Sequence, residues 1–457
     1  EYIGHIIEDM GCHQHMGWGA GHYFKALRYQ DMAGIDAVLH QIVPGINNTL
    51  HTAPLLGEYG VASPEFFQDT LPKLGTSLAH ITPHMKNRTL CEIFGGFGWV
   101  EGVPFMRRLA DIMLSRGVNY FVPHAYNERK DDNSCPPYFC NRASFSQETA
   151  YDNLAEYMQR AAMLFEDNEN LARVAVVYCP EAEWCGKSFI SIDKIARTLS
   201  ERQIDFDFVP WEYLEIDNVK NGEITVGNGR YSTVVLPGCT LLPAEIAARI
   251  DLLGMKMRTV IAGPVPDCIG EGDNCGFASC TKLSEEELCD YLCSAGASTV
   301  RTDRECDSLR VYHSKREKRD IYFLYNQSAG ETLDFYLLAD GALYDVWANR
   351  LYRPQSGEDG IRICLAPMES IAVVPYDTAD LPPYPYCDGE PFCTNCSCAV
   401  TVAKRLGEKF CEPKEQDELS MFGGLLHYET EFSSETGKRV LELPYIGETA
   451  EVTLNGI

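Results

Sequence analysis

The chain has 457 residues, 45% of them hydrophobic and 23% charged, a globular composition that excludes disorder as the main state. Asp plus Glu (66) exceed Lys plus Arg (39), for a formal net charge of −27, which argues against a nucleic-acid partner because phosphate binding needs a basic surface. No apolar run reaches the roughly 18–20 residues that cross a bilayer, so no membrane partner is expected; the length suggests about three domains.

Strand-like and helix-like periodicities alternate through the first 170 residues. Strands are expected at 2–7, 35–42, 90–94 and 118–122, and helices at 22–32, 64–81, 104–115 and 148–165. Repeated βα units imply parallel strands, here half of a (β/α)8 barrel or part of an open sheet. A second α/β unit opens at Arg173 with an apolar strand over 174–178. It continues with helices at 192–202 and 244–253 and strands at 206–209, 233–236 and 259–262, a doubly wound, flavodoxin-like pattern. Its first strand runs into Pro180-Glu181-Ala182-Glu183. Two carboxylates repel phosphate and Pro180 lacks a backbone donor, so no nucleotide or other cofactor is expected there.

From about Val300 the apolar period becomes two, predicting a small β-sandwich of strands 309–313, 320–326, 332–338, 341–345, 361–365 and 371–374. The proline-rich stretch Leu381-Pro382-Pro383-Tyr384-Pro385 reads as a linker, and alternation resumes over 424–457. The expected fold class is therefore α/β plus β. The divisions are a partial barrel (1–170), a flavodoxin-like domain (171–299), a β-sandwich (300–378), a linker (379–420) and the start of a further β-domain (421–457).

The 19 cysteines, an odd number in a long chain, read as reduced intracellular thiols, which predicts a cytoplasmic protein. The start, Glu1-Tyr2-Ile3-Gly4, has no basic-then-apolar leader. The first residue is not Met and the chain stops at Leu454-Asn455-Gly456-Ile457 inside a strand pattern, so it reads as a piece of a longer protein. Cys387, Cys393, Cys396 and Cys398 contain one C-x-x-C without a second pair and read as loop thiols.

In parallel barrels the catalytic groups sit at the C-terminal ends of strands. The expected strands end near Glu8, near His40 after Asp36, at Glu92, and at His124-Ala125-Tyr126. Glu92 follows apolar strand residues and precedes Phe94-Gly95-Gly96-Phe97-Gly98-Trp99, where Trp99 offers a stacking face for a sugar. Glycosidases use two carboxylates, and Glu92 and Glu8 are the candidate pair. Competing readings make Glu92 a structural partner of Arg88 and Glu8 an ordinary loop residue. Asp36, His5, His124, Trp99 and Tyr126 are candidate substrate contacts. Nine of the eleven histidines precede residue 125. Glu8, Asp9, His13 and His15 have metal-ligand composition, but no H-E-x-x-H motif occurs and no metal is assigned. Cys91 must face away from Glu92, so it reads as core.

The stretch Cys91-Glu92-Ile93-Phe94-Gly95-Gly96-Phe97-Gly98-Trp99 and the later Arg116-Gly117-Val118-Asn119-Tyr120-Phe121-Val122-Pro123-His124 resemble barrel glycoside hydrolases. The match is to the last two βα units of enzymes related to glycosyl hydrolase family 2 and the family 42 β-galactosidases. The resemblance implies Glu92 as nucleophile at the seventh strand and His124 as a sugar contact. It also implies a flavodoxin-like domain and then a small β-domain after the barrel. The tail through Val452-Thr453-Leu454-Asn455-Gly456 resembles a jelly-roll sugar-binding domain.

No Asn-Glu pair of the kind that marks the acid/base on the fourth strand precedes Glu92, so Glu8 stands as a substitute. The isolated chain is expected to lack a complete hydrolytic cycle. The expected function is a glycoside hydrolase, or its C-terminal portion, acting on a glycan or glycoside by paired-carboxylate chemistry. A carbohydrate-binding protein without turnover and a metal-dependent hydrolase are the alternatives, and self-association is left open.

Overall fold

The computed structural model describes residues 2–6, 21–52, 61–98, 101–127, 135, 137–139, 148–185, 187–269, 276–386, 399–401 and 427–429. Ala33–Ala37, Thr89–Ile93 and Tyr120–Pro123 form a three-stranded parallel sheet, in that order. Helix Leu71–Ile81, preceded by a π-helical turn over Glu65–Thr70, is buried along its whole length. It is apolar on most sides because it lies between two sheets. Gly75 sits on the first, where an added Cβ would meet Thr89 Cγ2 at 2.8 Å and Ile35 Cγ2 at 3.0 Å. Ser77 Oγ meets the second by accepting from Phe208 N at 2.8 Å.

The strand expected at 2–7 does not form over the described residues 2–6. That segment is held near the first strand by Asp31 N donating to Tyr2 O (2.8 Å) and Tyr2 N donating to Asp31 Oδ2 (2.6 Å). A side-chain acceptor replaces the ladder carbonyl, so no strand register develops. Of the four strands expected in residues 1–170, the three of the first sheet form among the described residues; the short strands His51–Thr52, Val61–Ala62 and Glu169–Asn170 belong to other sheets. The helix expected at 22–32 is only Tyr23–Leu27.

The second sheet is wholly parallel: Phe206–Pro210, Val174–Tyr178, Thr233–Pro237, Arg258–Ala262 and Thr281–Leu283. By chain position its order is 2-1-3-4-5, that of a doubly wound sheet. Its central strands Val174–Tyr178 and Thr233–Pro237 are buried throughout, as apolar runs covered on both faces must be. Helices Ile192–Glu201, Ala244–Gly254 and Glu285–Ser294 accompany it. The fifth strand is too short to show periodicity, although the capping box Ser284/Glu287 marks the helix after it.

The third unit packs a six-stranded sheet against a three-stranded one, around Leu309, Leu324, Phe335, Leu337, Ile363 and Val373. The six-stranded sheet includes Glu169–Asn170, which pairs antiparallel with Leu309–Arg316. The proline-rich stretch is not a free linker over its described part. Arg353 N donates to Pro382 O (2.8 Å) and Tyr384 N to Arg353 O (2.9 Å), fastening it to the third unit. The expected jelly roll and the 387–398 cysteines lie outside the described residues, apart from strand His427–Glu429 paired with Ala399–Thr401. No helix among the described residues is long and apolar enough to cross a membrane.

A buried carboxylate, Asp207, joins the three units. It accepts from His80 Nδ1 (2.8 Å), Asn170 Nδ2 (2.7 Å) and Tyr231 Oη (2.9 Å), with Lys73 Nζ at 3.7 Å. Burial alone would raise its pKa, but the charges of His80 and Lys73 and the hydrogen bonds from His80 and Tyr231 hold it well below the usual carboxylate range. Its contribution to stability is therefore present above an unfolded pKa of about 3.9 and is lost only as pH falls through the depressed folded value. Asp207→Ala is expected to cost about 3–5 kcal/mol in denaturant unfolding, the range for removing one partner of a buried ion pair. A cost below about 1 kcal/mol, on the scale of an exposed pair, would show that the cluster does not bind the units together.

Candidate active site

Parallel pairing sets Asp36 directly beside Glu92, and Glu92 beside Val122. Side chains alternate along strands, so Asp36 and Glu92 project from one face while Ile35 and Cys91 project from the other. The second face carries helix Leu71–Ile81. Cys91 is fully buried there with its thiol pushed well up by burial, a core residue as expected.

The carboxylate face receives His5. An added Cβ at Gly34 would lie 2.0 Å from Gly4 O, so glycine at 34 lets the 2–6 segment press onto the sheet. His5 Nε2 then meets Glu92 Oε2 at 2.9 Å, and Nδ1 meets Ile6 O at 3.0 Å with Asp36 Oδ2 at 3.8 Å. Both ring nitrogens face acceptors, so both donate and the imidazole is a cation. The Glu92 hydrogen bond raises His5 from 6.5 to about 9, against burial and with help from the Asp36 charge. The same bond holds Glu92 below the usual carboxylate range, aided by His124 and opposed by burial. Glu92 is half-buried, whereas Asp36 is only 4% exposed. Glu92 can therefore meet a ligand as an anion, and Asp36 serves to orient and charge His5. Arg88, the alternative partner for Glu92, instead donates to Met85 O (3.1 Å) and Asp31 O (2.9 Å).

His124 follows the third strand, its backbone N donating to Ile93 O at 2.8 Å. Its ring lies against Gly95, where an added Cβ would be 2.9 Å from His124 Cγ. His124 Nδ1 is buried and has no hydrogen-bond partner among the described residues, so it can serve a bound hydroxyl. Tyr126 is 64% exposed, and its backbone bridges to Phe139. Glu8 and Trp99 lie outside the described residues. So do Asp9, His13 and His15, on which the metal reading rests; no group of three or more His, Cys, Asp or Glu among the described residues could hold a metal ion.

His40 was not among the expected contacts. The first strand stops at Ala37, and Leu39 (φ 57°) and His40 (φ 59°) turn left-handed instead of extending it to 42. His40 packs on Phe97 with ring centroids 4.8 Å apart, and its carbonyl accepts from His51 Nε2 at 2.9 Å. Burial and the nearby His51 lower its pKa, favouring a neutral ring at the strand ends. Phe94 (φ 80°) makes a similar left-handed turn after the Glu92 strand. Non-glycine residues rarely adopt this conformation, and it collects at functional sites. The sequence signal was a histidine just past an apolar strand.

No family model matches the chain, and no curated protein matches it. Solved structures do match. A rhamnosidase from Novosphingobium sp. PP1Y superposes with a TM-score of 0.56 over 83% of this chain and 38% of its own, at 15% identity. A catalytic mutant of Gan42B, a GH42 β-galactosidase from G. stearothermophilus, gives 0.52 over 77% of this chain and 60% of its own, at 12% identity. A β-galactosidase from Rahnella sp. R3 gives 0.50 over 77% and 61%, at 9% identity. The chain shares its fold with glycoside hydrolases. It spans between 38% and 61% of the length of these three, and at such identities the likeness is one of fold. The expected likeness to family 42 β-galactosidases is thus present in three dimensions, as a likeness of fold.

Raised above its unfolded value of 6.5, His5 contributes stability that is full below 6.5 and lost as pH rises through about 9. Histidine ring titration by NMR is expected to find one early histidine near 9 that falls well below it in Glu92→Gln. An unchanged titration in that variant would show that Glu92 does not hold the proton on His5.

Proposed function

We propose that this chain carries part of the catalytic machinery of a glycoside hydrolase, with Glu92 as the reacting carboxylate. The observation that carries the reading is the His5 cation, which keeps a half-exposed Glu92 ionised at the C-terminal end of a parallel strand. A carboxylate held ionised suits a nucleophile or base and not a proton donor. The proton donor in this reading is Glu8, three residues after His5 in sequence. His124 and Trp99 take sugar hydroxyls and the sugar face, as does His40, and Tyr126 contacts the outer part of the substrate. Retaining chemistry follows from the resemblance to family 42 enzymes. The three units correspond to a partial barrel, a flavodoxin-like domain and a β-sandwich, and the substrate is a glycan or glycoside. Turnover belongs to the full-length protein that contains this chain.

The test is hydrolysis of aryl glycosides by that full-length protein. Glu92→Gln is expected to lower kcat by at least about 10²–10⁴-fold, the range for loss of a positioned acid or base, with the unfolding midpoint little changed. In Glu92→Gly, azide is expected to restore turnover through a glycosyl azide if Glu92 is the nucleophile. Near-normal kcat in Glu92→Gln refutes the reading, and sugar binding without turnover by the unaltered protein favours the binding-protein alternative.

The pH profile gives a second check. Its acidic limb is expected below the usual carboxylate range, because Glu92 must be ionised. A further fall in rate is expected near 9, where His5 loses its proton and Glu92 its hydrogen-bonded cation. A fall near 9 that persists in His5→Gln would assign it to another group.

A further inference from the structure

The strap over residues 38–48, which leaves the first strand next to the site, is held by all three units. Its start lies beside the Glu92 loop. An added Cβ at Gly95 would meet Val38 Cγ1 at 3.2 Å and His124 Cγ at 2.9 Å, so Val38 and His124 flank the same glycine. Leu39 N donates to Gly95 O at 2.7 Å. Gln41 closes the turn, with Gln41 N donating to Val38 O (3.0 Å) and Val38 N to Gln41 Oε1 (3.1 Å). His40 stands inside that turn. From there the strap runs through the fully buried Ile42 to Gly45.

The far end of the strap is clamped by a different unit at each polar group. Ile46 O accepts from Gln68 Nε2 of the first unit at 2.9 Å. Asn47 O accepts from Arg197 NH1 of the second unit at 3.3 Å, and Asn48 Oδ1 accepts from Arg197 NH2. Asn47 Nδ2 donates to Gln327 O of the third unit at 3.0 Å. Gln327 Nε2 in turn donates to Gln68 Oε1 at 2.8 Å, which ties the clamp together. Gly45 (φ 93°) lays the strap against the third unit, where an added Cβ would meet Met368 Cε at 2.7 Å and Ala329 Cβ at 3.1 Å. Asn47 and Arg197 are half-buried and Asn48 is exposed, so these bonds lie at the edge of the core and not in it.

We propose that Asn47, Arg197 and Gln327 are positioning residues for His40, and that the second and third units act on substrate binding through this strap. The backbone supplies the reason. Leu39 and His40 are both left-handed, a conformation that a side chain disfavours and that persists only where the surroundings over-determine it. The bonds to Gly95 and Gln41 fix one side of the turn, and the clamp at 45–48 fixes the other. With the clamp released, the turn is free to relax towards extended backbone and carry His40 off Phe97. The proposal rests on the reading of His40 as a sugar contact. It calls for a loss of binding and not of chemistry, because Glu92 is held by its own strand and by His5.

Asn47→Ala and Arg197→Met, singly and together in the full-length protein, release the clamp. Hydrogen exchange read by mass spectrometry is expected to quicken at the Leu39 and Gln41 amides and to stay unchanged over strand Thr89–Ile93. In aryl glycoside hydrolysis KM is expected to rise about 3–10-fold, the worth of roughly one hydrogen bond, with kcat unchanged. If the protein binds sugar without turnover, its Kd is expected to rise by the same factor. Unaltered exchange at 39–41 overturns the proposal. So does quickened exchange with an unchanged KM or Kd, and so does a fall in kcat at constant KM, which would place the effect on Glu92. The single variants remove one half-buried side chain each and give the same readouts if the double variant does not fold. Failure of the catalytic reading shows separately, as near-normal kcat in Glu92→Gln, and leaves the exchange result and the Kd to decide the role of the clamp.

Discussion

The arrangement of the whole chain depends on one fully buried carboxylate, Asp207. A strand residue of the second sheet, it meets His80 and Lys73 from the helix under the first sheet, and Asn170 from an edge of the third unit. An unpaired charge at that depth would cost several kcal/mol, so the four groups must come together or the units must separate. Helix Leu71–Ile81 is buried on every side for the same reason. It is the shared wall of two sheets, and the polar cluster along it fixes its angle to both.

That wall also sets the chemistry on the opposite face of the first sheet. With Ile35, Thr89 and Cys91 committed to the helix, alternation leaves Gly34, Asp36 and Glu92 on the other face. The missing side chain at Gly34 admits Gly4 and His5, and His5 then sits between two carboxylates. Three consequences of packing thus become one electrostatic property, an anionic Glu92 beside a protonated His5. The nearby left-handed turns at Leu39, His40 and Phe94 end the strands abruptly and aim the following loops across the same face.

Much of this was legible in the sequence where periodicity is long. Val174–Tyr178 and Ile192–Glu201 read directly, because an apolar run and an amphipathic stripe each have only one local solution. Glu92 and His124 were legible as polar residues just past apolar strands. The third strand of the first sheet and the fifth of the second sheet were blurred or missed, being four and three residues long. The segment at 2–6 looked like a strand and is not one, because its neighbour offers a side-chain oxygen where a ladder needs a carbonyl. Asp36 looked like a ligand contact, but the close approach of His5 that covers it is a tertiary event no local pattern encodes. Asp207 was not singled out at all, since a single charge in a strand looks like ordinary surface until its burial is known.

The pairing of Glu169–Asn170 with Leu309–Arg316 has a consequence for how the chain is made. A ribosome delivers residue 169 well before residue 316, and the entire five-stranded sheet emerges in between. The short edge strand must wait with its backbone donors solvated until a partner nearly 150 residues away is translated. Non-local pairing of this kind is slow, because the loop must close before any contact rewards it. The intervening sheet, with its own core, shortens that search: once folded, it brings the two ends of its segment close together. The second unit is therefore a spacer in time as well as in space, and a pause in synthesis between residues 300 and 316 would leave two of the three units built and the third still open.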